Sequence, residues 1–379
     1  MSRLENGKQE HNLELLRNYA RILHLPRHML WFDFPGESRL ILPPSVSGGH
    51  SQEDASRDSV LVANTGMNTV ELLARVRASA IDSSTIDGIA ITVDQLCCDY
   101  AHADATVLVE QGRLWLSQIS RVLEQRVTFK QHRELLHNAG MLALLVGCLE
   151  YDLGDKAAAE ATRKMAMHLG DESGDSNIIG WSNEMLAWFH LTAGNFRAVI
   201  PAAQAGIDAA SSMSVAVQLY GQQAKAYARL GMASEVHAAL ERGSALLDTL
   251  PYPERPENHF VVDPEKWDFY AMDTYRIVGD NKHAKRNALE VIRRSISPDG
   301  LMTSPMRHTE AKLTLAVIAA REGEVEEAST LGLSALQQGR QSRPSLIMVG
   351  QELDTALRAH GAGAGSEFRE VFANLRSAK

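Results

Sequence analysis

Histidines, cysteines and a glycine run are where chemistry would start in this sequence, and their spacing argues against it. His132 and His137 stand five apart in KQHRELLH. On a helix that offset puts them on different faces, so they cannot easily share a metal ion. His24 and His28 flank Pro26, and metal binding is not expected there. Cys97 and Cys98 are adjacent, so their side chains diverge, and Cys148 has no partner at ligand spacing. The chain has no G-x-x-x-x-G-K-[ST] loop, no H-E-x-x-H and no G-x-S-x-G elbow. The GAGAG run at Gly361–Gly365 lacks a preceding strand and reads as a helix connector. No catalytic residue, metal or cofactor is therefore expected, and the chain is expected to act by binding and not as an enzyme.

Composition points the same way. The 379 residues are 45% hydrophobic but only 6% aromatic, and Ala is abundant, which favours closely packed helices. The formal net charge is −9 and the pI about 5.9, whereas a chain that works by neutralising phosphates is usually basic. Residues 1–40 carry about +1 and the remainder about −10, so any DNA contact belongs at the N-terminal end. Three cysteines cannot form a disulfide framework and suit a reducing cytosol. The start MSRLENGKQEHNLE has no apolar stretch of the signal-peptide kind. The longest apolar run, Ala139–Leu149, has eleven residues, while a membrane span needs ~20. A cytoplasmic protein without membrane contact is the expectation.

The elements that would position a binding surface are helical. Leu13, Leu16, Ala20 and Leu23 recur at helical spacing, with Asn12 placed to cap and Pro26 to terminate. Pro35 to about Asn64, including PPSVSGGHSQEDASRDS, has almost nothing to bury and reads as a linker. Helical patterning resumes at Thr69–Ala80, near Thr85–His102 with Asp82 or Ser83/Ser84 as cap, and over Gly112–Phe129. No stretch alternates with period two, so no strand is predicted.

From about residue 134 a unit recurs: a helix, a Gly turn, an Ala-rich helix. The turn glycines are Gly154, Gly194, Gly231, Gly279 and Gly323, spaced by 40, 37, 48 and 44 residues. A tight reversal leaves its first helix through a left-handed residue, which Gly adopts without a Cβ penalty. Five residues later stand Ala159, Ala284 and Ala328, with Val199 and Val236 as looser matches, where a small side chain lets the second helix press on the first. One hairpin cannot bury its own apolar face, so neighbours must stack. Pro251–Pro264 interrupts the series as a lengthened connection or a binding loop. Ser345–His360 and Ser366–Ser377 would cover the open end.

These units, with Tyr227 and Tyr275 four residues before their turn glycines, resemble tetratricopeptide repeats, in a longer and degenerate form. The resemblance implies an all-α solenoid whose first helices line a concave face. The family alignment would put Trp181, Glu184, Trp188, Gln218, Lys225, Arg229, Asp273, Arg276 and Arg321 there. Four of these are basic, so the expected ligand is a carboxylate-bearing peptide or acidic protein segment held by Arg forks. Reversing the charge of Arg229 and Arg276 should then abolish binding without lowering the melting temperature. Trp181, Trp188 and Phe189 also fit core packing.

Residues 2–7, SRLENG, followed by Leu13–Leu23 and LPRHMLWFDFPG, resemble the end of a helix-turn-helix domain of the phage-repressor (Xre) type. Together with RELLHNAGMLALLVGCLEYDLGD and RHTEAKLTLAVIAAREGEVEEA, the layout resembles bacterial regulators common in actinomycetes. The resemblance implies five segments: a partial helix-turn-helix domain over 1–34, a linker over 35–67, a helical lead-in over 68–133, repeats over 134–343 and capping helices over 344–379. Met1 would fall inside the family's recognition helix, so the residues that enter the major groove are missing. Either the start codon lies further upstream or operator binding has been lost. Ser2, Arg3 and Lys8 would be the remnant of the DNA-binding surface, and DNA would be a partner only with the missing helices restored. Relatives dimerise on paired half-sites, so a homodimer is also implied. The expected function is a transcriptional regulator whose repeats sense a peptide or protein signal. The alternative is a scaffold or anti-regulator that binds no DNA.

Overall fold

The computed structural model describes residues 13–22, 79–337 and 339–377, and the chain divides into two units, Met1–Ala78 and Ser79–Lys379. In the first unit one helix is described, α1 (Leu13–Ile22), within the predicted span, with Ala20 buried. The Asn12 cap, the linker, the Thr69–Ala80 helix up to residue 78 and the remnant residues Ser2, Arg3 and Lys8 lie outside the described residues; Ser79 and Ala80 are described and are not helical.

The second unit is all-α. Its first two helices are α2 (Ser83–Asp99) and α3 (Ala105–Leu123). Asp82 caps α2 by accepting from Ser84 N, as its place in the sequence suggested. The next helix was expected over Gly112–Phe129, but Asp104 accepts from Thr106 N and Val107 N and starts α3 earlier. Thr128 then opens a new helix through a reciprocal capping box with Gln131.

Five hairpins follow: α4 (Phe129–Asp152) with α5 (Lys156–Ser173), α6 (Ser176–Thr192) with α7 (Phe196–Ala209), α8 (Ser214–Arg229) with α9 (Ala233–Leu247), α10 (Pro264–Val278) with α11 (Asn281–Arg294), and α12 (Pro305–Glu322) with α13 (Val325–Leu336). The five turn glycines have φ between 72° and 93°. In each turn the N–H after the glycine bonds back to a carbonyl five residues earlier, from Asp155 to Glu150 at 2.9 Å through to Glu324 to Ala319 at 2.9 Å. That closure satisfies carbonyls the helix end would otherwise leave open. Ala159, Val199, Ala284 and Ala328 are fully buried and Val236 nearly so, which is the close approach their small size permits.

A terminal hairpin, α14 (Arg343–Arg358) and α15 (Ser366–Ser377), joined through Gly361–Gly365, packs its Leu353, Leu357, Phe368 and Phe372 on the last repeat. Among the described residues there is no strand, only one isolated bridge between Ile296 and Met302. No described helix is long and apolar enough to cross a membrane.

Two segments cross the hollow of the stack. The connection between α9 and α10 reaches back to α2: Arg255 and Asn258 bond Asp94 at 2.5 and 2.7 Å, and His259 N donates to Cys97 O at 3.1 Å. The C-terminal segment returns to the early helices as well. Arg340 pairs with Asp152 of α4 at 2.8 Å, and Trp188 Nε1 of α6 donates to Ser345 Oγ of α14 at 3.4 Å. The stack thus closes on itself.

Candidate functional site

The two crossings turn the concave face into a walled pocket with a cavity of about 130 Å3. Helices α6, α8, α10 and α12 supply one wall because each presents its first-helix face inward. The α9–α10 connection and α14 supply most of the rest, with Tyr100 and Ala101 at the end of α2 and Cys148 of α4.

The floor is a chain of amides and a carboxyl. Gln218 and Gln222 of α8 donate to Glu184 Oε1 at 2.7 and 2.6 Å, and Tyr270 Oη donates to Gln218. Burial raises the Glu184 pKa, against the two amides and Lys225. Beside it the Lys225 ammonium sits 2.8 Å from Asp273 and 5.1 Å from the Tyr270 ring centroid. Asp273 also pairs with Arg276 at 2.7 Å. Burial would raise its pKa, but Lys225 and Arg276 prevail and bring it to about 2.

The crossing connection is held from below. Lys266 Nζ donates to the carbonyls of Asn258, Val261 and Pro256 at 2.5, 2.6 and 3.1 Å. Burial, and then Arg307, lower its pKa to about 7. Burial, then Lys266 and Arg307, hold His259 well below its usual pKa, so its ring is neutral where it lies 3.9 Å from the Tyr100 ring centroid.

Of the nine side chains placed on the concave face from sequence, Glu184, Trp188, Gln218, Lys225 and Asp273 line this pocket. The others do not. Trp181 is wholly buried, with Phe260 of the crossing connection edge-on against it at 5.3 Å, so it packs the core and offers no groove surface. Arg276 is also wholly buried, between Asp273 and Glu352 at 2.6 Å. Arg229 pairs with the same Glu352 of α14, and Arg321 Nη1 donates to the Arg276 carbonyl at 2.8 Å. Arg229 and Arg321 line a second cleft together with Glu352. The expectation that reversing Arg229 and Arg276 would spare stability is therefore corrected: a carboxylate in place of the buried Arg276 would face the carboxylates of Asp273 and Glu352.

Sequence reasoning missed Lys266, Arg307 and Glu310. One signal for two of them was present. Thirteen residues before their turn glycines stand Trp181, Gln218, Lys266 and Glu310, and all four are buried on the inner face. The same register position that led to Trp181 and Gln218 carried an ammonium and a carboxyl in the next two repeats.

Among the described residues no group of three or more His, Cys, Asp or Glu is arranged to hold a metal ion. The three cysteines are free and buried. No protein-family model and no curated protein matches the chain.

Proposed function

We propose that the Ser79–Lys379 unit is a sensor that takes a short peptide, or the end of a protein chain, into the walled pocket. The observation that carries this reading is the pocket itself. Ligand sites are concave and apolar in the main, with a few placed polar groups. Here Trp188, Phe269, Tyr270 and Met348 surround a small set of ordered amides and charges. An open groove for a long helix or strand is not available, because the α9–α10 connection and α14 occupy it. The expected ligand is accordingly short.

The test is equilibrium dialysis of a random tetrapeptide mixture against the full chain, read by mass spectrometry. A defined subset should be retained. Ala101→Trp, which places a large ring at the pocket margin on a half-buried turn, should abolish retention while leaving the melting temperature unchanged. No retention, or retention indifferent to Ala101→Trp, would end the reading.

The transcriptional role rests on the resemblance of SRLENG and the segment after it to a helix-turn-helix domain. Selection from a random duplex pool tests it: enrichment of a paired half-site favours the regulator, and no enrichment favours the scaffold.

A further inference from the structure

Of the four carboxyl groups that line the pocket, three are already engaged. Lys225 is paired with Asp273, and Glu184 accepts from two glutamines. Lys266 donates to three carbonyls, Glu257 pairs with Arg255 at 2.9 Å, and Arg307 donates to Ser304 Oγ at 2.8 Å. Glu310 of α12 lines the same pocket, is only 8% exposed, and has no hydrogen bond or ion pair among the described residues. A buried carboxyl without a partner is costly in its charged form.

A pocket carboxyl lacking a donor asks for a ligand that brings one. We propose that the pocket binds a primary ammonium group, with the Glu310 carboxylate as its counter-ion. This rests on the reading of the pocket as a ligand site and names the chemistry of what enters. The pocket already accommodates an ammonium in this manner: that of Lys225 lies between the Asp273 carboxylate and the faces of Tyr270 and Phe269. The guanidinium groups expected to attract an acidic ligand are directed elsewhere, Arg229 and Arg276 to Glu352. Of the guanidinium groups, Arg307 is the one that lines the pocket, and it bonds Ser304 Oγ, so the anionic control in the test addresses an acidic ligand directly.

The charged surroundings of Glu310 set how binding depends on pH. Burial, then Asp273 on α10, raises its pKa to about 8, opposed by Lys225 on α8 and Arg276 on α10, with Asp152 on α4 adding to the rise. Arg307 on its own helix, Glu184 on α6 and Lys266 on α10 line the same pocket. In the empty pocket Glu310 is therefore protonated at neutral pH. An entering ammonium displaces that proton to solvent, so affinity rises toward about pH 8, while a simple amine, of pKa ~10.4, stays charged.

The experiment is calorimetry on the full chain near neutral pH, in buffers of differing ionisation enthalpy. Three probes carry ammonium groups: n-butylammonium, N-acetyl-lysine methylamide and alanyl-alanine amide. N-acetyl-norleucine methylamide and N-acetyl-glutamate methylamide are the neutral and anionic controls. Amines should bind with release of up to one proton, and the controls should not. A preference among the three distinguishes a free amine, a lysine side chain and a peptide N-terminus. Glu310→Gln should weaken binding about tenfold or more and remove the proton release. Glu310→Asp, which keeps the charge, should retain proton release at reduced affinity. The empty proteins give a second readout. Since the native pKa lies above the unfolded one, parent stability should fall as pH rises from about 4.5 to about 8, and Glu310→Gln should flatten that fall. Unchanged affinity in Glu310→Gln overturns the inference. If the anionic control or the tetrapeptide mixture binds and the amines do not, the ligand site stands and the ammonium inference falls. If nothing binds, both fall.

Discussion

Asp273 lies between two cations with almost none of its surface open to water. Its carboxylate is favoured in the native state, with a pKa near 2 against 3.8 in the unfolded chain. Such a group contributes stability above the unfolded pKa and loses it as pH falls through the native one. Asp273→Asn should cost about 3–5 kcal/mol at neutral pH, because it leaves Lys225 short of its counter-ion and Arg276 with only Glu352. The gap between mutant and parent in urea denaturation should close as pH drops from about 4 toward 2. Ala159 tests a different force. It is fully buried where α5 meets α4, and Ala159→Leu should overpack that contact at a cost of about 1–3 kcal/mol, read from the same curves. A variant as stable as the parent would mean that the helix pair does not close at Ala159.

At the scale of the helix and its connections, local rules were legible. A left-handed glycine and a small residue five positions on are satisfied within one hairpin, so Gly154 with Ala159 and Gly279 with Ala284 could be read from sequence alone. The α9–α10 connection could be located but not placed. Its partners, Asp94 and Cys97, lie more than 150 residues away, and only the curvature of the stack brings them together. The burial of Trp181 was illegible for the same reason, since Phe260 covers it from that connection. The tie is partly exposed, with Arg255 and Asp94 side chains 40% and 37% open, so it should add less than about 1 kcal/mol to global stability. Asp94→Ala should nevertheless release the connection. Hydrogen exchange at residues 255–261 should quicken while the melting temperature stays nearly fixed; unchanged exchange would show that Lys266 alone holds the segment.

For the second unit as a whole, closure changes how the repeats should melt. Linear arrays are stabilised by nearest neighbours and can fray from their ends. Here Glu352 of α14 joins Arg229 of α8 and Arg276 of α10, and Arg340 joins Asp152 of α4. Glu352→Ala should cost about 3–5 kcal/mol by leaving Arg276 under-compensated, whereas replacing both Arg276 and Glu352 with Met should recover much of that loss. Calorimetry should show one transition for the parent and a separable early one, in α13 to α15, for Glu352→Ala. The crossing connection has a consequence of another kind. The Cys97 thiol, 1% exposed, lies in the helix to which His259 is bonded, and burial raises its pKa well above the ordinary thiol value. Alkylation there must wait for that region to come apart. The residue is thus a native stopwatch: its labelling rate times how often the segment swings aside, and an occupant of the pocket should slow the clock.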